Sequence, residues 1–215
     1  MKKISIYLIT LLFLSLTYCT KDDNSDDPNS DPDETEPAKT FLGVTFTPTY
    51  AYFSTQGDSS GTMSAYQAQS AASSIDITYI YDGDYNEAGF LDAVTRSSDQ
   101  YYWSSTYRTP WSSVSQKTIW YYCSLESRIE LFNNAMSDQS KIGEIFSDTT
   151  HLKIIQHPVW PEGSSAGGRS ADQKLGAFKV FGFKRVSDGK RGLIYIDRVP
   201  TNFNENCIVN IVIEN

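Results

Sequence analysis

Histidine and cysteine are scarce in this 215-residue chain, and positive charge is in the minority. Two histidines are too few for a His-rich metal centre. Three cysteines cannot build a disulfide framework, which takes several pairs. Eighteen Lys and Arg against 26 Asp and Glu leave a net charge of −8. That sign argues against duplex nucleic acid as a partner, because its binders present basic patches. No apolar run reaches the roughly 20 residues that a membrane-spanning helix needs. The G-x-S-x-G, H-E-x-x-H and P-loop patterns are all missing, and with them the commonest hydrolase and nucleotide signatures. The GSSAGG run at 163–168 lacks the Lys-Ser/Thr of a phosphate cradle and reads as a flexible loop.

What is present begins with an address. Lys2 and Lys3 form a short basic segment, and the 13 residues Ile4 to Leu16 (ISIYLITLLFLSL) are uncharged and apolar. This is the pattern of a secretory signal over residues 1–18. Leu16-Thr17-Tyr18-Cys19 follows directly and resembles the bacterial lipobox, although Tyr18 stands where a small residue is usual. The resemblance implies that Cys19 carries lipid and starts the mature chain, with outer-membrane lipid as its partner. Residues 19–40 then form a tether. Thr20 to Thr40 holds six Asp and two Glu against two Lys, three Pro and nothing apolar larger than Ala38. Such a segment cannot bury enough surface to offset its ordering entropy, and charge repulsion with Pro extends it. Lys21-Asp22-Asp23 just after the Cys resembles the export signal of Bacteroidetes surface lipoproteins, which implies the extracellular face; a plain acidic spacer facing the periplasm is the alternative. The tether carries −6, so residues 41–215 carry only −4.

Residues 41–215 read as one domain, because about 175 residues suit a single core. The C-terminus is the clearest part. Ala177 to Val186 (AFKVFGFKRV) and Arg191 to Val199 (RGLIYIDRV) are strands joined across Ser187-Asp188-Gly189-Lys190, a D-G turn that suits a tight hairpin. Leu193, Tyr195 and Asp197 share one face, and Ile194, Ile196 and Arg198 the other. Cys207 to Glu214 (CIVNIVIE) is a last strand after a polar loop. Further strands are expected at Phe41–Phe46, Thr49–Ser54, Ile75–Tyr81, Thr118–Cys123 and His151–Gln156. Met63–Ala72 suits a short helix. Ser124–Ser137 suits a longer one, with Ser124 as cap, Ile129, Phe132 and Met136 on one stripe, and an extension after a break at Gly143. Strands without regular strand–helix alternation predict an α+β fold, mostly antiparallel, with one or two helices; an all-β sandwich is the alternative.

Two of these segments carry a resemblance. The run from Gly176-Ala177-Phe178-Lys179 through Asp188-Gly189-Lys190-Arg191-Gly192-Leu193-Ile194 is similar to the C-terminal segment of small Bacteroidetes surface lipoproteins, and Ile75–Tyr81 (IDITYIY) resembles a strand of the same group. The resemblance implies a fold and an address rather than an activity.

Three sets of residues could carry function. Tyr101, Tyr102, Trp103, Tyr107, Trp111 and Trp160 fall in segments rich in Ser, Thr and Pro that read as loops. Flat rings beside hydroxyls and amides are what a sugar-binding surface needs; core packing under long loops is the competing explanation. Asp82-Gly83-Asp84-Tyr85-Asn86 matches the D-x-D-x-N opening of a calcium loop. The match fails at Glu87 and Ala93, so calcium would need Asp82, Asp84, Asn86 and Asp92; a polar exit from a strand is the alternative. Calcium is the one ion candidate, and no cofactor motif occurs. Cys123 and Cys207 fall on strands, and either a disulfide or two buried thiols fits an exported chain. These readings lead to a lipid-anchored, non-catalytic surface module, with glycan as the first candidate ligand. A pilin-like subunit that donates its last strand is one alternative. A small hydrolase is the other, and it needs two facing acids of separated pKa in a cleft.

Overall fold

The computed structural model describes residues 36–82, 87–91, 118–124, 128–155, 159–160, 175–202 and 204–215. The chain divides into residues 1–34 and 35–215, and the description below concerns the second unit. Eleven strands are described: β1 Lys39–Phe46, β2 Tyr50–Phe53, β3 Met63–Ser64, β4 Ile77–Asp82, β5 Glu87–Leu91, β6 Thr118–Cys123, β7 Leu152–Ile155, β8 Val159–Trp160, β9 Val180–Arg185, β10 Arg191–Arg198 and β11 Cys207–Ile213. Three helices accompany them: α1 Ala65–Ser70, α2 Arg128–Ser137 and α3 Ser140–Ser147. The strands form a six-stranded sheet, β1-β11-β10-β9-β6-β7, and a five-stranded sheet, β3-β2-β4-β5-β8. The pairings are antiparallel. The fold is therefore α+β and mostly antiparallel, with two sheets facing each other as in a sandwich.

Side-chain alternation along β10 explains the layering. Ile194 and Ile196 point to the core between the sheets, together with Phe181 and Phe183 of β9 and Val209 and Ile211 of β11. Leu193 and Tyr195 point the other way, into a second core with Phe132 and Ala135 of α2 and Ile142 and Ile145 of α3. The inter-sheet core is a chain of rings. Phe46 lies 5.8 Å from Tyr79 and 5.2 Å from Phe90. Phe90 lies 6.3 Å from Trp120, and Trp120 lies 6.1 Å from Phe183. Trp120 and Tyr122 are thus packing residues, and Tyr121, half-buried on the other face, meets Phe146 at 5.0 Å.

Several sequence expectations need correction. The domain begins before Phe41. Gln139 N–H donates to Glu36 O at 2.9 Å, Asn215 Nδ2 donates to Pro37 O at 2.8 Å, and Ala38 is already buried. The long helix is described over Arg128–Ser137, and the Ser124 hydroxyl donates to His151 O at 3.1 Å, which ties β6 to the turn before β7. Its buried face carries Phe132 and Ala135, while Ile129 is 51% exposed. Gly143 breaks nothing: it sits inside α3, where a Cβ would come within 3.1 Å of the Arg191 guanidinium. The strands β3, β5 and β8 were not expected; β3 and β8 are two residues each, too short for a periodic signal.

The cysteines do not bond to each other. Cys123 and Cys207 are buried in different cores, on β6 and β11, which β9 and β10 separate. Three strand spacings amount to about 14 Å, twice the reach of a disulfide. Burial pushes the Cys207 thiol well up, which keeps it protonated. The last strand is paired on both sides, by β1 and by β10. It has no open ladder to donate, and the pilin-like alternative loses the element that carried it.

Edge strand β1 is interrupted where Leu42 and Gly43 oppose the single residue Asn210. Gly43 takes φ +64, and its N–H donates to Asn210 Oδ1 at 2.8 Å. The bulge bends the edge and makes it a poor template for further strands.

Gly192 tests the packing. It sits opposite Phe183 in the β9–β10 ladder, and a Cβ there would overlap the Phe183 ring and come within 2.6 Å of Val212 O. The ring could turn, but the carbonyl belongs to central strand β11. Gly192→Ala is expected to cost about 2–3 kcal/mol by overpacking. Urea unfolding should show this as a lower midpoint at unchanged slope.

Candidate functional site

An open depression of about 400 Å³ is lined by Ser54, Gln56, Gly57, Ser59, Gly61, Met63 and Ser74. Its wall is the 54–62 connection between β2 and β3, whose composition (STQGDSSGT) rules out regular structure and favours turns. Short side-chain bonds fix the loop. Gln56 N–H donates to Ser54 Oγ at 3.2 Å and Gly61 N–H to Ser59 Oγ at 3.1 Å. The loop runs along β1: Lys39 Nζ reaches Gln56 O at 3.3 Å and Asp58 at 3.0 Å, and Thr62 Oγ1 donates to Thr45 O at 2.8 Å. The floor carries Met63, and α1 behind it starts from a Ser64–Gln67 capping box.

Beneath the loop lies a buried charge network. Asp76, at the entry to β4, has no exposed surface, and Arg185, at the end of β9, is 4% exposed. Asp76 Oδ2 accepts the Thr55 N–H at 2.6 Å and the Thr55 hydroxyl at 2.5 Å. Arg185 Nη1 donates to Thr55 Oγ1 at 2.8 Å and stands 3.7 Å from Asp76 Oδ2. Arg185 Nε donates to Asp188 Oδ1 at 3.1 Å, and its Nη2 pairs with Asp188 Oδ2. Thr118 of β6 donates its hydroxyl to Asp76 O at 2.7 Å. A polar network buried this deeply is tolerable only when its members are satisfied. Here it fixes Thr55, and with it the loop, to both sheets.

The two acids on Arg185 are pushed in opposite directions. Burial raises Asp76, against the pull of the Thr55 hydrogen bonds and the Arg185 charge. Burial also acts on Asp188, but the Arg185 hydrogen bond, the Lys190 N–H and the Arg185 and Lys190 charges outweigh it and hold that carboxyl below its usual range. Separated pKa values are what a small hydrolase would need. Asp76, however, is sealed under Thr55 with no exposed surface, out of reach of a substrate. The arrangement holds a loop rather than attacking a bond.

Of the residues singled out from the sequence, Cys19, Tyr101, Tyr102, Trp103, Tyr107, Trp111, Asp84, Asn86 and Asp92 lie outside the described residues. Trp160 lies on β8, in register with Ala88 of β5. Asp82 closes β4, in register with Glu87 across a hairpin. Among the described residues no cluster of three or more His, Cys, Asp and Glu could hold a metal ion. The Thr55–Asp76–Arg185 network, whose members are up to 130 positions apart, was not anticipated from sequence. Its one local sign was an acid at the mouth of the otherwise apolar or hydroxylic Ile75–Tyr81 run.

Two outcomes are expected. Asp76→Ala strands the buried Thr55 N–H and takes one of two carboxylates from Arg185, and should cost about 3 kcal/mol in urea unfolding. Asp188 gains stability from ionisation in the folded state, because its pKa there is depressed. That gain is present above the unfolded pKa and lost as pH falls through the folded value. The stability gap between wild type and Asp188→Asn should therefore be constant above about pH 5 and close below about pH 4.

No family model matches this sequence, and no curated protein does. Among solved structures, the fold is similar to the crystal structure of a DUF4466 family protein from Parabacteroides merdae. The TM-score is 0.53 and the identity 14%, and the match covers 82% of this chain and 53% of that one. The chain thus spans about half the length of that protein. At this identity the likeness shows a shared fold, in a protein from a Bacteroidetes genus.

Proposed function

We propose that the chain is a non-catalytic binding module, held at the outer surface of the cell by a lipidated Cys19, and that its ligand is a glycan. The observation that carries this reading is the depression at Ser54–Met63. Its lining residues are Ser, Gln and Gly with one Met, most of the surface they present is carbon with hydroxyl and amide groups set among it, and none of the lining side chains is charged. Hydroxyls and amides exchange hydrogen bonds with sugar hydroxyls, and Met63 offers an apolar floor for C–H faces. A volume near 400 Å³ lies at the small end of ligand sites, which run from about 300 to 1,000 Å³. The loop is tied down in advance by Asp76 and Lys39, so little ordering entropy is lost on binding. The acidic tether and the lipobox support display away from a membrane, where polymeric sugars are at hand.

A glycan array on the domain from Glu36 onward tests the reading, with and without calcium. Neutral oligosaccharides are expected to bind, and Ser59→Trp, which fills the depression from an exposed loop position, should lower affinity at least tenfold while leaving the melting temperature in place. An array with no bound glycan overturns it.

A further inference from the structure

Phe178 combines two features that folding alone does not favour. Its φ is +65, in the left-handed region suited to glycine. Its ring is 67% exposed. The residue lies in the turn Gly176–Lys179, closed by Lys179 N–H donating to Gly176 O at 3.2 Å. It holds the third position of that turn, where a positive φ normally selects Gly or Asn. A bulky side chain there strains the backbone, and such outliers cluster at ligand-binding sites.

The ring is firmly backed. Phe178 N–H donates to Ile196 O at 2.7 Å and Ile196 N–H donates to Lys179 O at 2.9 Å, which pins the turn against β10. The Phe178 ring lies 6.5 Å from the Tyr195 ring, and Tyr195 lies 5.7 Å from Phe132 in the core beneath the helices. Asp197, exposed, is the extra residue where β10 bulges against β11, two positions after Tyr195. Burial and the Asp197 charge together raise the Tyr195 hydroxyl, so the two groups feel each other. The result is an exposed ring backed by a buried one, with a carboxylate two positions along the strand.

We propose that Phe178 and Asp197 form a sugar-stacking subsite backed by Tyr195, built from residues other than those of the depression. The C–H face of a pyranose ring lies on Phe178, and Asp197 accepts its hydroxyl protons. The assignment rests on the glycan reading above. A sugar fits better than a protein partner because, among the described residues, the exposed ones next to Phe178 in the chain and at the adjoining end of β10 are Ala177, Asp197 and Arg198, which do not make a contiguous apolar patch of the kind that marks protein interfaces.

Phe178→Gly separates ligand binding from folding. It removes the platform and relieves the strained φ, partly offset by the greater freedom glycine has when unfolded. The melting temperature should hold or rise by up to about 3 °C, while affinity for an array-selected glycan falls at least tenfold. Phe178→Trp should retain binding, and Asp197→Asn should weaken it several-fold at unchanged melting temperature. If the wild type binds a glycan and Phe178→Gly binds it equally well, the subsite is overturned and the glycan reading stands. A loss of more than about 5 °C in Phe178→Gly makes the residue a packing element and also overturns the subsite. So does a protein ligand lost in Phe178→Gly with glycan affinity unchanged. A wild type that binds no glycan overturns both.

Discussion

The contact between Arg185 and the Asp76–Thr55 pair is the constraint on which the rest of this structure leans. It joins the end of β9 in one sheet to the entry of β4 in the other, inside a core otherwise made of rings and aliphatic chains. Apolar contacts are non-directional and would accept several relative positions of two facing sheets. A fully buried carboxylate that must meet one guanidinium and one N–H accepts few. Ion pairs of this kind add little net stability, because desolvation consumes most of the Coulomb gain. Their contribution here is to select one arrangement, and that arrangement carries the 54–62 loop with it.

Function and scaffold divide along the same line. The ring chain Phe46–Phe90–Trp120–Phe183 and the second core under α2 and α3 account for a large share of the aromatic residues. Those side chains are structural. The described surface carries, among its features, an uncharged depression and the exposed Phe178 ring on a strained turn. Both are backed by rigid elements, the first by the charge network and the second by Tyr195 and Phe132. A binding module needs such pre-set surfaces more than it needs a deep cleft, and the acids with separated pKa values are spent on holding a loop.

Much of the fold was legible because β-branched and aromatic residues alternate over long runs. β1, β6, β10 and β11 fall within a few residues of expectation, and the faces of β10 divide as its period dictates from Leu193 to Ile196, beyond which a bulge shifts Arg198 into register with Ile208. The failures have physical causes. Gly143 reads as a helix break when only propensity is considered, but a side chain there would press on Arg191, which also binds Glu214. Phe178 reads as the start of a strand because it alternates with Val180, although its φ belongs to a turn. The buried network lay beyond reach, since nothing local announces that Thr55 and Arg185 meet.

The most direct measurement is an amide chemical-shift titration of the domain from Glu36 onward with an array-selected oligosaccharide. The account predicts perturbations concentrated at Gln56–Gly61 and at Phe178 and Asp197, with the β9–β11 core unmoved. Perturbations confined to other segments, with both of these surfaces silent at saturating ligand, would contradict it.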